Sequence, residues 1–180
     1  HCISSAASDV YKRQDKDTTG LMLIAKNNES YKYLKALFEK RLVDKEYLAI
    51  VHGNFDKKKD RIVTFIDRDI NNRRKMAVRE NGREAISEYE VIREVPGYSL
   101  VKIHIITGRT HQIRVHMTYL NHPLVGDPVY GNIKTNFNLD HQLLHCKSLG
   151  FTDQNGDYVS FEAKPHQTFL KYQNVLGLGE

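Results

Sequence analysis

Between residues 45 and 106 the chain offers one strand-like segment after another with no helical stretch between them, and this succession constrains its fold more than any other feature. Residues 45–51 close at His52 and Gly53, 61–66 follow a lysine-rich turn, and 75–78, 84–94 and 98–106 continue the series. Short runs rich in β-branched and aromatic residues, bounded by turn residues, read as strands. The last run alternates through Leu100, Lys102 and His104, as a strand with two different faces must. Strands that follow one another without regular βα alternation predict an α+β domain around a mixed, mostly antiparallel sheet.

Helical signals flank that region. Residues 20–26 (GLMLIAK) form a short apolar run that predicts a buried strand, and Asn27 to Ser30 is a polar break with capping residues. A helix over 30–40 follows, because Tyr33, Leu34, Leu37 and Phe38 build one apolar stripe. Thr110 is placed to cap a second helix from His111 to about Leu120, which Asn121, His122 and Pro123 end. A closing hairpin is expected over 149–161, turning at Asn155 and Gly156.

At 180 residues the chain fits one domain with a core of its own. It has no apolar run approaching the ~20 residues that cross a bilayer. Its two cysteines, Cys2 and Cys146, form no Cys-x-x-Cys pair, which supports neither a disulfide framework nor a cysteine zinc site and points to a reducing, cytoplasmic setting. The net charge of +5 favours a polyanionic partner, and residues 67–83 concentrate Arg68, Arg73, Arg74, Lys75, Arg79 and Arg83 against Asp67, Asp69 and Glu80. A solvated hairpin rim explains that cluster equally well. Residues 1–14 (HCISSAASDVYKRQ) show no periodicity and no secretory pattern. DVYKRQ matches a translated transposon-adapter end, so this segment is expected to be foreign to a domain running over 15–180.

Two strings carry the chemistry. Asp15-Lys-Asp-Thr-Thr-Gly20-Leu sets a carboxylate just before a buried segment, although an isolated match of this kind is usually a plain loop. Thr107-Gly-Arg-Thr-His-Gln-Ile-Arg114-Val-His116 lies at a strand-to-helix junction. A guanidinium there, beside a helix N-terminus, can grip a carboxylate by two parallel hydrogen bonds and favour its ionised form. His104, His111, His116 and His122 lack the spacing of metal ligands.

These strings, with Lys45-Glu-Tyr47-Leu-Ala and Leu144-His-Cys-Lys-Ser-Leu, resemble successive motifs of the RluA-like family of RNA pseudouridine synthases, in the family's order. The likeness extends through Arg74-Lys-Met, Gly82-x-x-Ala85 and His122-Pro-x-x-Gly126-Asp127 to about Pro165. The resemblance implies the pseudouridine synthase fold, lacking its first strands, with part of the sheet edge and an apolar face uncovered. It implies Asp15 as catalytic nucleophile, Tyr47 as the aromatic platform for the target base, and Arg114 as the partner of Asp15. Asp15 has three routes open to it: attack at ribose C1′, attack at uracil C6, or assistance to elimination at the sugar. Arg109, His111 and Gln112 are candidate RNA ligands or stabilisers of the loop. Leu144 is a candidate wall of the base pocket or a plain core residue. No metal or cofactor is needed, the partner is ribosomal or transfer RNA, and a monomer is expected. A noncatalytic RNA-binding fragment is the competing reading. The chain departs from the family pattern upstream of Asp15, where Lys12-Arg13-Gln14 stands in place of His-Arg-Leu.

Overall fold

The computed structural model describes residues 15–131, 137 and 139–179, so the expectation for 1–14 lies outside the described residues. In chain order the elements are β1 (Thr19–Gly20), α1 (Asn28–Glu39), β2 (Asp44–His52), β3 (Lys59–Arg68), β4 (Met76–Val78), β5 (Arg83–Val95), β6 (Tyr98–Ile105), α2 (Gln112–Tyr119), β7 (Leu144–Thr152), β8 (Tyr158–Glu162) and α3 (Gln167–Val175). The strands form one sheet in the order β1-β7-β2-β6-β5-β3-β4, with β8 also paired to β7. Only β1 on β7 is parallel, so the mostly antiparallel α+β expectation holds.

Alternation along β2 assigns the helices to faces. Ala49 and Val51 point to one side and pack with Ile113 and Met117 of α2, whereas Ile50 points to the other and packs with Phe169 and Tyr172 of α3. On the first side, α1 sets Leu34 and Leu37 against Cys146 and Leu149 of β7. Asn27 begins α1 by accepting the Ser30 N–H at 2.8 Å, so the capping signal was sound.

Two local expectations need correction, and one helix lies where none was expected. Residues 20–26 do not form a strand: the ladder covers only Thr19–Gly20. In the β1 register, residues from Met22 onward would need the β7 positions from Ser148 to Thr152, and β8 already holds these. The chain therefore leaves the sheet after Leu21, with Leu23 and Ala25 packed toward α1 and Ile24 66% exposed. Second, His111 rather than Thr110 precedes α2, in a left-handed conformation (φ 56°) with no side-chain cap. Helix α3 has no counterpart in the periodicity analysis, because Phe169 and Tyr172 are the only residues that it buries. The hairpin turn is wider than Asn155-Gly156 alone, since Asp153 Oδ1 accepts the N–H groups of both Asn155 and Asp157. Val63 and Phe65 are exposed on the solvent side of β3.

Helix α2 is buried from Gln112 through Met117, polar residues included. Its His116 is inaccessible to solvent, and its two ring nitrogens meet Thr64 Oγ1 and Ser87 Oγ, each at 2.9 Å. Burial lowers its pKa from 6.5 to about 4. Between those values the unfolded chain binds a proton that the folded chain refuses, so this contribution is present above pH 6.5 and is lost as pH falls toward 4. Its full size is on the order of 3 kcal/mol. The melting temperature is expected to fall over that window, and His116→Gln to flatten the slope even though it lowers the plateau. An equal slope in the variant would assign the acid sensitivity to other groups.

Candidate active site

Besides its own turn, closed by the Thr18 N–H on the Asp15 carbonyl at 3.3 Å, the Asp15 loop is tied to β7 and to the residues just before it. Thr19 Oγ1 donates to the Leu144 carbonyl at 3.3 Å and lies 2.9 Å from His145 Nδ1, while Gln142 Nε2 donates to the Lys16 carbonyl at 2.8 Å. Gly20 makes the approach possible: at φ 100°, a Cβ there would lie 2.2 Å from the Cys146 carbonyl oxygen. The spacing from the acid to the glycine in the first motif is therefore a backbone requirement.

That anchoring delivers the Asp15 carboxylate to the start of α2. Its Oδ1 accepts the His111 N–H at 3.3 Å, and its Oδ2 lies 3.5 Å from Arg114 Nη1. The left-handed turn at His111 aims that N–H outward, at the positive end of the helix. The expected partnership of Asp15 with Arg114 is observed, but not in the expected form. The two parallel hydrogen bonds of Arg114 go to Asp127, from Nε at 2.7 Å and Nη2 at 2.8 Å, which leaves Nη1 for Asp15. The guanidinium is thus fixed from behind by a second carboxylate and offers one edge to the first. Tyr130 completes the support, with its ring 5.0 Å below the guanidinium and its hydroxyl 2.8 Å from His111 Nδ1.

Burial and charge act in opposition here. Burial alone would raise the Asp127 pKa, but Arg114 and the N–H groups of Tyr130 and Val129 outweigh it and hold the carboxyl below its ordinary range. Burial lowers the His111 pKa, reinforced by Arg114 and opposed by Asp15 and Asp127, which favours the neutral ring that shares a hydrogen bond with Tyr130. Burial also raises the Tyr130 phenol to about 12.

In front of this assembly opens a cavity of about 360 Å³, lined by Asp15, Tyr47, Leu144 and Ile113 and roofed by Phe38 from the end of α1. Its size falls in the range of roughly 300–1,000 Å³ typical of small-ligand sites. Tyr47 and Leu144 share one sheet face on adjacent strands. Burial and the neighbouring Cys146 keep the Tyr47 phenol well above its usual pKa, hence neutral and suited to stacking. Leu144 serves both readings, as a core residue 3% exposed and as a cavity wall.

Of the candidate RNA ligands, Arg109 and Gln112 line the cavity and His111 does not. Gln112 is 3% exposed and its amide is fully engaged. Oε1 accepts from Thr107 Oγ1 and the Arg109 N–H, and Nε2 donates to the Ile86 carbonyl and Ser87 Oγ. This geometry favours the loop-stabilising of its two expected roles. Arg109 donates from Nε to the Glu84 carbonyl at 2.8 Å. Among the described residues no group of three or more His, Cys, Asp or Glu side chains is placed to hold a metal.

The profile of the family described as RNA pseudouridylate synthase matches residues 9–119. The chain belongs to that family. Within the pseudouridylate synthase family it is 40% identical over 155 residues to an uncharacterized RNA pseudouridine synthase of Bacillus subtilis, covering 86% of this chain and 51% of that one. It is 41% identical over 162 residues to ribosomal large subunit pseudouridine synthase D of Borreliella burgdorferi, covering 89% and 50%. The chain thus spans about half the length of these relatives, whose names agree with the RluA-like resemblance. The solved structure of human RNA pseudouridylate synthase domain containing 1 superposes with a TM-score of 0.76 at 25% identity, over 92% of this chain and 78% of that one.

Sequence reasoning assigned no role to Asp127, Tyr130 or Lys45. Asp127 was legible as an acid set among apolar residues, in Leu124-Val125-Gly126-Asp127-Pro128, where only a buried cationic partner makes sense. Nothing local marks Tyr130.

Proposed function

We propose that this chain is the catalytic part of an enzyme that isomerises uridine to pseudouridine in structured RNA, with Asp15 as nucleophile. The observation that carries the reading is the convergence on one cavity of a carboxylate held by a helix N–H and a guanidinium with a neutral aromatic platform. The reaction breaks the bond from ribose C1′ to uracil N1 and joins C1′ to C5 of the same ring. Covalent attachment to a carboxylate lets the base be freed, turned and recaptured without loss. Tyr47 supplies a face for the extruded base, worth ~1–3 kcal/mol, and Leu144 closes its edge. Flipping costs least in loops and bulges, which favours such uridines as targets. No step needs a metal or an organic cofactor.

The relatives' names support large-subunit ribosomal RNA as the substrate, with transfer RNA as the alternative arm of the test. The protein acts as a monomer in the cytoplasm. Forming the C5–C1′ bond expels the C5 hydrogen, so RNA transcripts carrying tritium at uridine C5 are expected to release label to water when incubated with the chain. Binding of both transcripts without release would instead favour a noncatalytic RNA-binding module.

A further inference from the structure

Lys45 is a buried cation that the mechanism above leaves unused. It is 6% exposed and lines the same cavity as Asp15 and Tyr47, and its ammonium has no hydrogen bond or ion pair among the described residues. Its Nζ lies 5.6 Å from the centroid of the Phe38 ring. Lys45 and Tyr47 stand two apart on β2, so both project from the sheet face that forms the cavity floor. An ammonium has three donors and no acceptor, and leaving it desolvated and unpaired is costly. A ligand that supplies an acceptor oxygen at this point removes that cost.

Phosphate is the less fitting donor of that oxygen. Arg41 and Arg83 on the cavity rim are exposed, where an RNA backbone can reach them, while Lys45 is sunk beside aromatic and aliphatic groups where a base would lie. Given the reading of the cavity as a uridine site, we propose that the Lys45 ammonium donates to the C4 carbonyl of the flipped base before it turns and so selects uracil over cytosine. Uracil has carbonyl oxygens at C2 and C4, and turning the ring about its C6–N3 axis exchanges these two positions as it exchanges N1 with C5. One fixed donor therefore meets a carbonyl both before and after the turn. It also faces the oxygen on which negative charge collects while the base is detached. Cytosine breaks this match, because the amino group at C4 presents donors to a donor.

The cation's surroundings make its role measurable. Burial lowers the Lys45 pKa to about 8, against the pull of Asp44 on its own strand and Cys146 on β7, while Glu39 and Arg41 face the cavity from the end of α1 and the turn after it. In the free enzyme the ammonium is lost as pH rises through about 8, so kcat/KM for tritium release is expected to fall there. Lys45→Met is expected to lower kcat by roughly 10²-fold with little change in KM. It should also raise the melting temperature, since an apolar chain suits the site. Lys45→Arg is expected to recover most of the rate and to carry it to higher pH.

A binding readout separates this inference from the assigned activity. Lysine labelled with ¹³C at Cε is followed by NMR while a short oligonucleotide with one uridine, or its cytidine twin, is added to saturation. The uridine strand is expected to raise the Lys45 pKa and the cytidine strand to leave it unchanged. That shift without tritium release would sink the isomerase reading and keep the Lys45 contact. Release without the shift, wild-type turnover by Lys45→Met, or a loss confined to KM that salt deepens would each overturn the Lys45 proposal.

Discussion

Asp15→Asn is expected to abolish tritium release, by roughly four orders of magnitude or more, while leaving the fold intact. The substitution preserves shape and an acceptor oxygen for the His111 N–H, and removes only the charge and nucleophilicity of the second oxygen. The loop does not depend on that charge for its position, because Thr19 and Gln142 anchor it to β7 from the other side. Arg114 does not depend on it either, since its bidentate partner is Asp127. A change in stability of about 1 kcal/mol is therefore anticipated, because the buried guanidinium keeps its Asp127 partner and loses only one longer ion contact. Thermal unfolding checks the second expectation and label release the first. Turnover within tenfold of wild type would mean that another group attacks the substrate.

The candidate site was more legible than the architecture that supports it, for a physical reason. Asp15, Tyr47 and Arg114 lie in strings whose residue types are constrained by contact with one another, and the fold draws them together from positions spanning some 100 residues. The strands of the middle region were readable either from alternation, as in β3 with Ile62, Thr64 and Ile66 buried, or from short apolar runs buried on both faces, as in β2 from Ala49 to Val51. By contrast, α2 buries polar residues on nearly every side, so its amphipathic signal is weak and its true start, at a left-handed histidine, follows from the site rather than from capping preference. The failure at residues 20–26 has a similar origin. Their apolar content is real, but whether they join the sheet is decided by β8, more than 130 residues away, which takes the neighbouring positions on β7. Local periodicity reports what a segment can bury and not which partner is already engaged.

The pairing of Arg114 with Asp127 gives the other large effect, and it separates structure from catalysis. Asp127→Ala is expected to cost about 3–5 kcal/mol, because it strands a guanidinium that is 4% exposed over the Tyr130 ring and also removes the acceptor for two backbone N–H groups. The chain's lowered midpoint in urea measures this. Loss of activity in that variant would say little, since a weakened fold explains it. The double variant Arg114→Met, Asp127→Leu is more informative. Exchanging a buried ion pair for apolar side chains of similar bulk is often neutral or stabilising, so much of the lost stability should return. Tritium release should not return with it, because Asp15 Oδ2 has then lost the Nη1 edge that faces it and keeps only the His111 N–H. A deficit of roughly 10²–10³-fold in the restored fold is the expected size for removing one such charged donor. Should the double variant turn over as fast as wild type, Arg114 would be a strut for the helix and nothing more, and Asp15 would owe its reactivity to the α2 N-terminus alone.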